Sequence, residues 1–287
     1  MIEKLSIILP AKNEARGLEL VLPKLKELYP DSQILVIDDG STDETVRVCA
    51  NSLVDVISHP YSMGNGAAVK TGSRIANGEV FVFMDADGQH KAEDIKLLLD
   101  KIDEGYDMVV GARSSSSQAS VGRLCANTFY NWFASIMVNQ KVEDLTSGFR
   151  AVKAEYFKKF LYLLPNGFSY PTTSTMAFFR SGYIVGYVPI KAEERIGKSH
   201  IKILKDGVRF LLILFKIGTL YSPLKIFFPL SVISFTMGIL YYLYTFLSAS
   251  RFTNMSALLF TTAIIIFLMG LISEQITSLM YNQKQEE

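Results

Sequence analysis

The sequence predicts an α/β domain with a mostly parallel central sheet, followed by a helical hairpin in the membrane. Up to about residue 190, short apolar runs alternate with helical patterns, which is typical of a parallel sheet covered by helices on both faces. After Lys225 the chain has two stretches without a charged residue, separated by Arg251. Each stretch exceeds the ~20 residues that span a bilayer. The alternative is a buried hairpin of a soluble core.

The predicted strands and helices follow each other in regular order. The strands are Leu5–Leu9, Ile34–Ile37, Val54–Ile57, Val80–Met84 and Met108–Val110. The helices lie near residues 14–28, 43–50, 66–76, 92–103 and 122–138. In open α/β sheets, ligands bind beyond the carboxyl ends of the strands. Because the polar motifs of this chain follow predicted strands, we expect a ligand site at that edge.

The predicted organisation has three parts. They are a domain over 1–198, an amphipathic helix over 199–222, and a hairpin over 223–287 with spans at about 226–247 and 257–278. Lys202, Lys205 and Arg209 share one face of the middle segment, as expected for a helix on anionic lipid. Basic residues concentrate before the first span, and the N-terminus lacks the long apolar run of a signal peptide. These features predict an integral, two-span membrane protein with a cytosolic domain.

Composition excludes some classes. A formal net charge of +1 gives no reason to expect nucleic-acid binding. Cys49 and Cys125, without a CxxC pair or metal-type spacing, do not indicate a disulfide framework.

The stretch FVFMDADGQH (81–90) carries an apolar strand into two acids, Asp85 and Asp87. On an extended backbone these two side chains would point the same way, and Gln89 would continue that face. Mg²⁺ or Mn²⁺ prefers such oxygen ligands and is usually completed by substrate phosphates. The alternative is that the acids cap the following helix. His90 is expected to be a neighbour of the site and not a ligand.

Two further motifs follow strands. In DDGSTDET (38–45), Asp38 and Asp39 suit a contact with a base or ribose, although turn formation and helix capping are the alternative. MGNGAAVKTG (63–72) opens a helix whose N–H groups could face an anion. Lys70 in that helix could approach a phosphate or be solvated, and both readings stay open.

Taken in order, PAKNE, VIDDGSTD, GNGAAVKTG, FMDADGQ, GAR and DLTSGFRA resemble the family 2 glycosyltransferases over roughly residues 5–200. Within that family they are most similar to the polyprenyl-phosphate glycosyltransferases of the dolichyl-phosphate mannose synthase type. The resemblance implies a GT-A fold that binds a nucleotide sugar. It also implies inverting, metal-dependent transfer of one hexose from a GDP- or UDP-linked donor to dolichyl or undecaprenyl phosphate, with the membrane as partner.

The resemblance also implies roles for individual residues. Those that contact the nucleotide would be Pro10, Glu14, Asp38, Asp39, Lys70, Asp85 and Ala86. The metal and diphosphate would be held by Asp85, Asp87 and Gln89. The acceptor phosphate would be bound by Arg113, Arg123 and Asn127, and catalysis would depend on Asp87, Arg113 and Arg123. The sugar pocket would be lined by Asp144, Ser147, Gly148 and Arg150. Arg195 and Lys198 would close over the diphosphate or lipid head.

Asp144 leaves a second enzymatic reading open. A phosphate acceptor is already anionic at neutral pH and needs no general base, whereas a sugar or lipid hydroxyl would use Asp144 as base. A catalytically inactive membrane scaffold is the non-enzymatic alternative. A nucleotidyltransferase would need a GGxGTR-like loop, which PAKNEARG is not. The sequence does not predict the transferred sugar, the nucleobase of the donor or the length of the polyprenol. Whether the protein forms a homo-oligomer also stays open.

Overall fold

The computed structural model of the protein describes residues 4–113, 121–167, 169–191, 215–216 and 218–282. The chain divides into two units, one of Met1–Ser135 with Gln140–Ile201 and one of Ile136–Asn139 with Lys202–Glu287. The predicted amphipathic helix and the predicted boundary at residue 198 fall mostly or wholly outside the described ranges, so both stay predictions.

A seven-stranded sheet forms the centre of the first unit. Its strands are β1 (Leu5–Ala11), β2 (Gln33–Asp38), β3 (Asp55–Ser58), β4 (Val80–Phe83), β5 (Met108–Arg113), β6 (Arg150–Lys153) and β7 (Val185–Ile190). Their spatial order is β3-β2-β1-β4-β6-β5-β7. Neighbouring strands pair in parallel except β6, which is antiparallel to both β4 and β5. The prediction of a mostly parallel α/β sheet is therefore confirmed.

Helices connect these strands. They are α1 (Ala15–Leu28), α2 (Thr45–Asn51), α3 (Asn65–Ile75), α4 (Ile95–Asp103), α5 (Val121–Val138), α6 (Ala154–Lys159) and α7 (Tyr170–Arg180). A 3-10 turn at Ala92–Asp94 precedes α4. The first five helices match the predicted ones to within a few residues.

Burial on both faces of the sheet explains the continuous apolar runs of the strands. Ile7, Ile8 and Leu9 follow each other along β1, and none of them is exposed. A strand that is buried on one face only would alternate apolar with polar residues instead. Along α1, Leu18, Leu22 and Leu25 recur at helical spacing and are equally buried. Together these side chains form the core between the sheet and its helices.

Strands β6 and β7 were not predicted, because neither carries a continuous or alternating apolar pattern. The four residues of β6, RAVK, begin with a charged side chain, and Gly186 and Pro189 interrupt β7. The antiparallel direction of β6 has a consequence for the site. The motif DLTSGFR precedes this strand and does not follow one, yet the strand begins at the edge where β4 and β5 end.

The second unit contains helices α8 (Pro223–Ala249) and α9 (Asn254–Asn282), which pair as a hairpin. By length and composition, both could cross a membrane. In a hairpin buried within a soluble core, most of these residues would be enclosed. Instead, only 11% of an apolar 18-residue segment of α8, and 17% of the corresponding segment of α9, is buried. Gly270 lets the two helices approach closely, since a Cβ there would lie 2.7 Å from the Cβ of Phe227.

Candidate active site

Polar residues gather at one edge of the sheet. Pro10 lies near the end of β1, Asp38 ends β2, and Arg113 ends β5. Asp85 follows β4, and the TSG segment leads into β6. Because the parallel strands end where β6 begins, most of the predicted site residues share this edge.

The two acids of the DADG segment lie on a turn and not on an extended strand. Strand β4 ends at Phe83, and Gly88 has a φ of +77°, a conformation that glycine adopts without strain. The Asp85 side chain is 37% exposed, whereas Asp87 is buried and its Oδ1 accepts a hydrogen bond from the N–H of Gln89 (3.2 Å). The strand therefore ends before both acids, and the extended backbone expected for this stretch is replaced by a turn.

The oxygens of this turn fit a hard divalent cation. Asp85, Asp87 and Gln89 lie within five residues of each other, and the Asp85 carboxylate is accessible. Within the described part of the chain, no group of three His, Cys, Asp or Glu side chains is arranged to hold a metal ion. Mg²⁺ needs no such cage, because it is commonly held by one or two carboxylates and by substrate phosphates.

Helix α1 packs directly against the acidic turn. Gly17, in its first turn, lies so close to the turn that an added Cβ would be 2.1 Å from the Ala86 carbonyl oxygen. The same Cβ would lie 3.0 Å from the Cα of Asp87. Ala86 itself is buried. Gly17 thus permits the close approach of α1, a role that sequence reasoning missed.

His90 is a buried neighbour of Asp85, as expected. Its Nε2 lies 3.8 Å from Asp85 Oδ2, and its ring stacks on Phe149 at a centroid distance of 4.8 Å. The Nδ1 atom has no hydrogen-bond partner among the described residues.

The loops after β1 and β2 are tied together by hydrogen bonds. Asn13 N–H donates to Ser41 Oγ (2.8 Å), and Thr42 N–H donates to Asn13 Oδ1 (2.8 Å). Glu14, at the start of α1, donates its N–H to Thr45 Oγ1 (3.1 Å). The segments PAKNE and DDGSTDET, which were predicted to bind the nucleoside, are therefore held next to each other.

The carboxylate of Asp39 is engaged in hydrogen bonds within the protein. Its Oδ1 accepts hydrogen bonds from His59 Nδ1 (2.8 Å) and the N–H of Met63 (2.7 Å). Its Oδ2 accepts from Ser62 Oγ and the N–H of Gly64, both at 2.8 Å. Burial alone would raise the pKa of Asp39, but these hydrogen bonds outweigh it and lower the pKa. All its lone pairs are used, so the predicted nucleoside contact finds no support in this geometry.

Asp38 is likewise buried, and its Oδ1 accepts a hydrogen bond from the N–H of Ser41 (2.9 Å). Its carboxylate thus shapes the turn that follows β2, in line with the alternative reading of turn formation.

The start of α3 does not present its donors to an anion. The N–H groups of Gly66 and Ala67 donate to the carbonyls of Gly167 (3.2 Å) and Asn166 (2.8 Å). Lys70 donates to the carbonyl of Leu164 (3.2 Å) and to the Asn166 side chain. Burial lowers the pKa of Lys70. Lys70 thus contacts the loop at 164–167, and the phosphate contact that was one of its two open readings stays a prediction.

Arg113 and Asp144 form a two-pronged ion pair beside the acidic turn. Arg113 Nε donates to Asp144 Oδ2 (2.8 Å), and Nη2 donates to Asp144 Oδ1 (3.0 Å) and Thr146 Oγ1 (2.6 Å). Burial would raise the pKa of Asp144, but hydrogen bonds and the charge of Arg113 outweigh it and lower the pKa. For Arg113 the directions are reversed: burial would lower its pKa, but the hydrogen bond and charge of Asp144 outweigh burial and raise the pKa. Both groups are therefore charged.

Arg150 does not line a sugar pocket, contrary to the prediction. Its side chain has no exposed surface, and Nη1 donates to the Pro171 carbonyl (2.9 Å), Ser174 Oγ (2.8 Å) and Thr175 Oγ1 (3.0 Å). Nη2 donates to the Ser147 carbonyl. Burial lowers the pKa of this guanidinium. Arg150 thus ties the segment before β6 to helix α7.

Ser147 and Gly148 do lie at the site. A Cβ on Gly148 would be 3.1 Å from Asp85 Oδ2, so this backbone directly adjoins the accessible acid. Ser147 Oγ is buried without a hydrogen-bond partner in the described part of the chain. Tyr170 Oη donates to the Gly148 carbonyl (3.1 Å) and supports the segment from α7.

Four predicted residues lie on α5 or near residues 195–198. Asn127 lies half-buried on α5. Arg123 belongs to the same helix, but its side chain lies outside the described part, as do Arg195 and Lys198. Their roles stay predictions.

A mostly parallel α/β sheet with paired acids after β4 is the arrangement of a GT-A-like domain. Comparison with known proteins agrees. The chain belongs to glycosyl transferase family 2, whose model matches residues 6–161, and it is a glycosyltransferase. Residues 222–279 match the model of the GtrB C-terminal hairpin.

Two proteins are similar to this chain in sequence, and a third is similar in fold. The undecaprenyl-phosphate mannosyltransferase of Micrococcus luteus is 30% identical over 67% of this chain and 85% of its own length. The glycosyltransferase AglJ of Haloferax volcanii is 28% identical over 96% of this chain and 95% of its own length. The glucosyl-3-phosphoglycerate synthase of Mycobacterium tuberculosis, solved with Mn²⁺ and uridine-diphosphate-glucose, has a TM-score of 0.61 at 21% identity. It covers 75% of this chain and 78% of its own, and this likeness shows the fold alone.

Proposed function

We propose that the protein transfers a single hexose, with inversion, from a GDP- or UDP-linked sugar to a polyprenyl phosphate at the cytosolic face of the membrane. The observation that carries this proposal is the set of hydrogen bonds to the Asp144 carboxylate. Those hydrogen bonds determine whether Asp144 can act as a base, and a hydroxyl acceptor would need such a base, whereas a phosphate acceptor would not.

Asp144 has no lone pair to spare for a general base. Its carboxylate accepts hydrogen bonds from five N–H groups, those of Arg113 Nε, Nη2 and N, Thr146 N and Ser147 N, and from the Thr146 hydroxyl. Only 5% of the residue is exposed. A base must reach the proton that it removes. This geometry supports an acceptor that needs no base.

A phosphate monoester is such an acceptor. Because its second pKa is about 6, it is already a dianion for the most part at neutral pH. One of its oxygens can attack the anomeric carbon while the bond from that carbon to the diphosphate breaks, and the nucleoside diphosphate leaves with the bonding pair. The protein then has to orient the phosphate and reduce repulsion between two phosphates, a task that suits an arginine such as Arg113.

At the donor end, Asp85, Asp87 and Gln89 would hold Mg²⁺ or Mn²⁺. When bound, such a cation neutralises charge on the leaving diphosphate. The accessible Asp85 faces the backbone of Gly148, so diphosphate and sugar would lie between the acidic turn and the TSG segment. The tied loops at 12–15 and 41–45 would bind the nucleoside.

The relatives support the choice of acceptor. The Micrococcus luteus protein is called an undecaprenyl-phosphate mannosyltransferase, and a Mycolicibacterium smegmatis relative, 29% identical over 66% of this chain and 77% of its own length, a polyprenol monophosphomannose synthase. The hairpin α8–α9 would keep the domain at the membrane where such lipids reside. Basic residues before α8 favour the cytosolic side.

Direct assay tests the proposal. The purified full chain, given undecaprenyl phosphate, Mg²⁺ or Mn²⁺ and a panel of GDP- and UDP-sugars, should form a glycosylated lipid with one donor. Asp87→Ala should lower turnover by roughly 10²–10³-fold, as loss of an electrostatic catalytic group does. Although Asp87 is buried, it lies on a turn past the end of β4 and not in the sheet, so the variant should still fold, which its circular dichroism spectrum checks. Transfer to saccharide hydroxyls without any lipid product would overturn the proposal.

A further inference from the structure

The Arg113–Asp144 pair is built before any ligand binds. Arg113 approaches the carboxylate with Nε and Nη2, which is the two-pronged geometry that fixes a guanidinium in a plane. Thr146 Oγ1 accepts a further hydrogen bond from Nη2, so both hydrogens of that nitrogen are engaged. The guanidinium therefore has little rotational freedom.

Asp144 is itself fixed by the backbone. The N–H groups of Arg113, Thr146 and Ser147 donate to it at 3.3, 3.0 and 3.1 Å. These donors come from the end of β5 and from the segment that leads into β6, two strands that pair directly. The orientation of the carboxylate is therefore determined by the sheet.

One part of the guanidinium remains available. Among the described residues, none accepts a hydrogen bond from Arg113 Nη1, and the side chain is 30% exposed, against 7% for Asp144. The exposed end of the pair is thus the arginine. Asp144 offsets part of the positive charge of Arg113, so it does not strengthen long-range attraction of an anion. Its contribution is to fix the orientation of the Arg113 guanidinium.

We infer that Asp144 is a positioning residue, which holds Arg113 so that Nη1 faces the acceptor phosphate. This inference rests on the proposed function. Fixing the arginine in advance removes the entropic cost of immobilising a long side chain when the acceptor binds. Thr146 contributes to the same restraint, and neither residue touches the reacting atoms.

A double-mutant cycle tests the inference. Arg113→Met, Asp144→Asn and the double variant are compared for kcat and KM with farnesyl phosphate as a short acceptor, and for KM with the donor sugar. Asp144→Asn should raise the acceptor KM about 10-fold, roughly the effect of losing 1.4 kcal/mol, and leave the donor KM within about twofold. Since Asp144 acts through Arg113, the double variant should be no worse than Arg113→Met alone.

Opposite results would overturn the inference. If the two losses multiply in the double variant, and Asp144→Asn lowers kcat at unchanged acceptor KM, then Asp144 acts directly on the reaction as a base. Thr146→Val is a milder variant in case Asp144→Asn folds poorly. It should raise the acceptor KM two- to fivefold, as expected for the loss of one hydrogen bond, and have no effect in the Arg113→Met background.

A matched control separates positioning from general stability. Asp107 accepts a hydrogen bond from Lys153 Nζ at 2.8 Å and joins β5 to β6 in the same way, at the other end of these strands. Asp107→Asn should lower the melting temperature without changing the acceptor KM. An equal rise in acceptor KM for both variants would mean that Asp144 is merely structural.

Binding distinguishes this inference from the proposed function. The dissociation constant of farnesyl phosphate can be measured by calorimetry without any donor. If the wild type binds farnesyl phosphate but forms no product with any donor, the proposed function fails. The double-mutant cycle is then evaluated from the dissociation constants of farnesyl phosphate. If the wild type does form the glycolipid but the cycle is additive, only the positioning role fails.

Discussion

Gly17→Ala should impair catalysis more than it impairs folding. The added Cβ would lie 2.1 Å from the Ala86 carbonyl oxygen, whereas real Cβ atoms essentially never approach below 3.0 Å. The obstructing atom is backbone, so the turn that carries Asp85 and Asp87 must move away from α1. A displacement of about 1 Å in a catalytic group can lower a rate roughly 100-fold. We expect a loss of that size in glycosyl transfer.

The effect on stability should be smaller. Crowding a well-packed site costs about 1–3 kcal/mol, and alanine in a helix regains about 0.5–1 kcal/mol relative to glycine. The assay compares transfer rate, Mn²⁺ activation and melting temperature with those of Gly167→Ala, whose Cβ would meet no atom within 4 Å. A Gly17→Ala variant with wild-type rate and wild-type Mn²⁺ activation would refute the role of α1 in holding the acidic turn.

Two further predictions concern stability. Gly66→Ala would place a Cβ 1.9 Å from the Pro165 carbonyl and should separate α3 from the loop at 164–167, which lowers the free energy of unfolding by about 1–3 kcal/mol. Chemical denaturation would detect this, and an unchanged midpoint would contradict it. Asp39→Asn should destabilise the protein at pH 7. Because the folded pKa of Asp39 lies below the ordinary 3.8, its carboxylate stabilises the fold above that pH and loses this contribution as the pH falls through the folded pKa. Melting curves of both proteins should therefore converge in acid, and a gap that is independent of pH would disprove the assignment.

The periodicity of the chain was sufficient for the elements with a strong pattern. The buried parallel strands β1, β2 and β4 were predicted from continuous apolar runs, since burial on both faces leaves no alternation. Strands β6 and β7 escaped detection because a charged residue, a glycine and a proline interrupt their patterns. The antiparallel direction of β6 could not be predicted at all, because strand direction depends on pairing partners far away in sequence.

The same division applies to the site. Composition and order of motifs sufficed to identify paired acids after β4, an arginine after β5 and an apolar pair of helices at the end of the chain. The motifs and the family resemblance suggested ligand contacts for Asp39 and Arg150 and left one open for Lys70, whereas the fold engages each of these side chains with its own loops and helices. A sequence lists which groups could donate or accept, but it does not show which of them already have partners.

By itself, then, the sequence determined the kind of chemistry at this sheet edge, because chemistry depends on residue type and on proximity to strand ends. Only the tertiary structure decided which residues remain available for it. Asp144 and Arg113 are 31 positions apart, and their two-pronged contact exists because β5 and β6 pair in antiparallel register. That pairing surrounds the carboxylate with hydrogen-bond donors and leaves the arginine the more exposed side chain of the two.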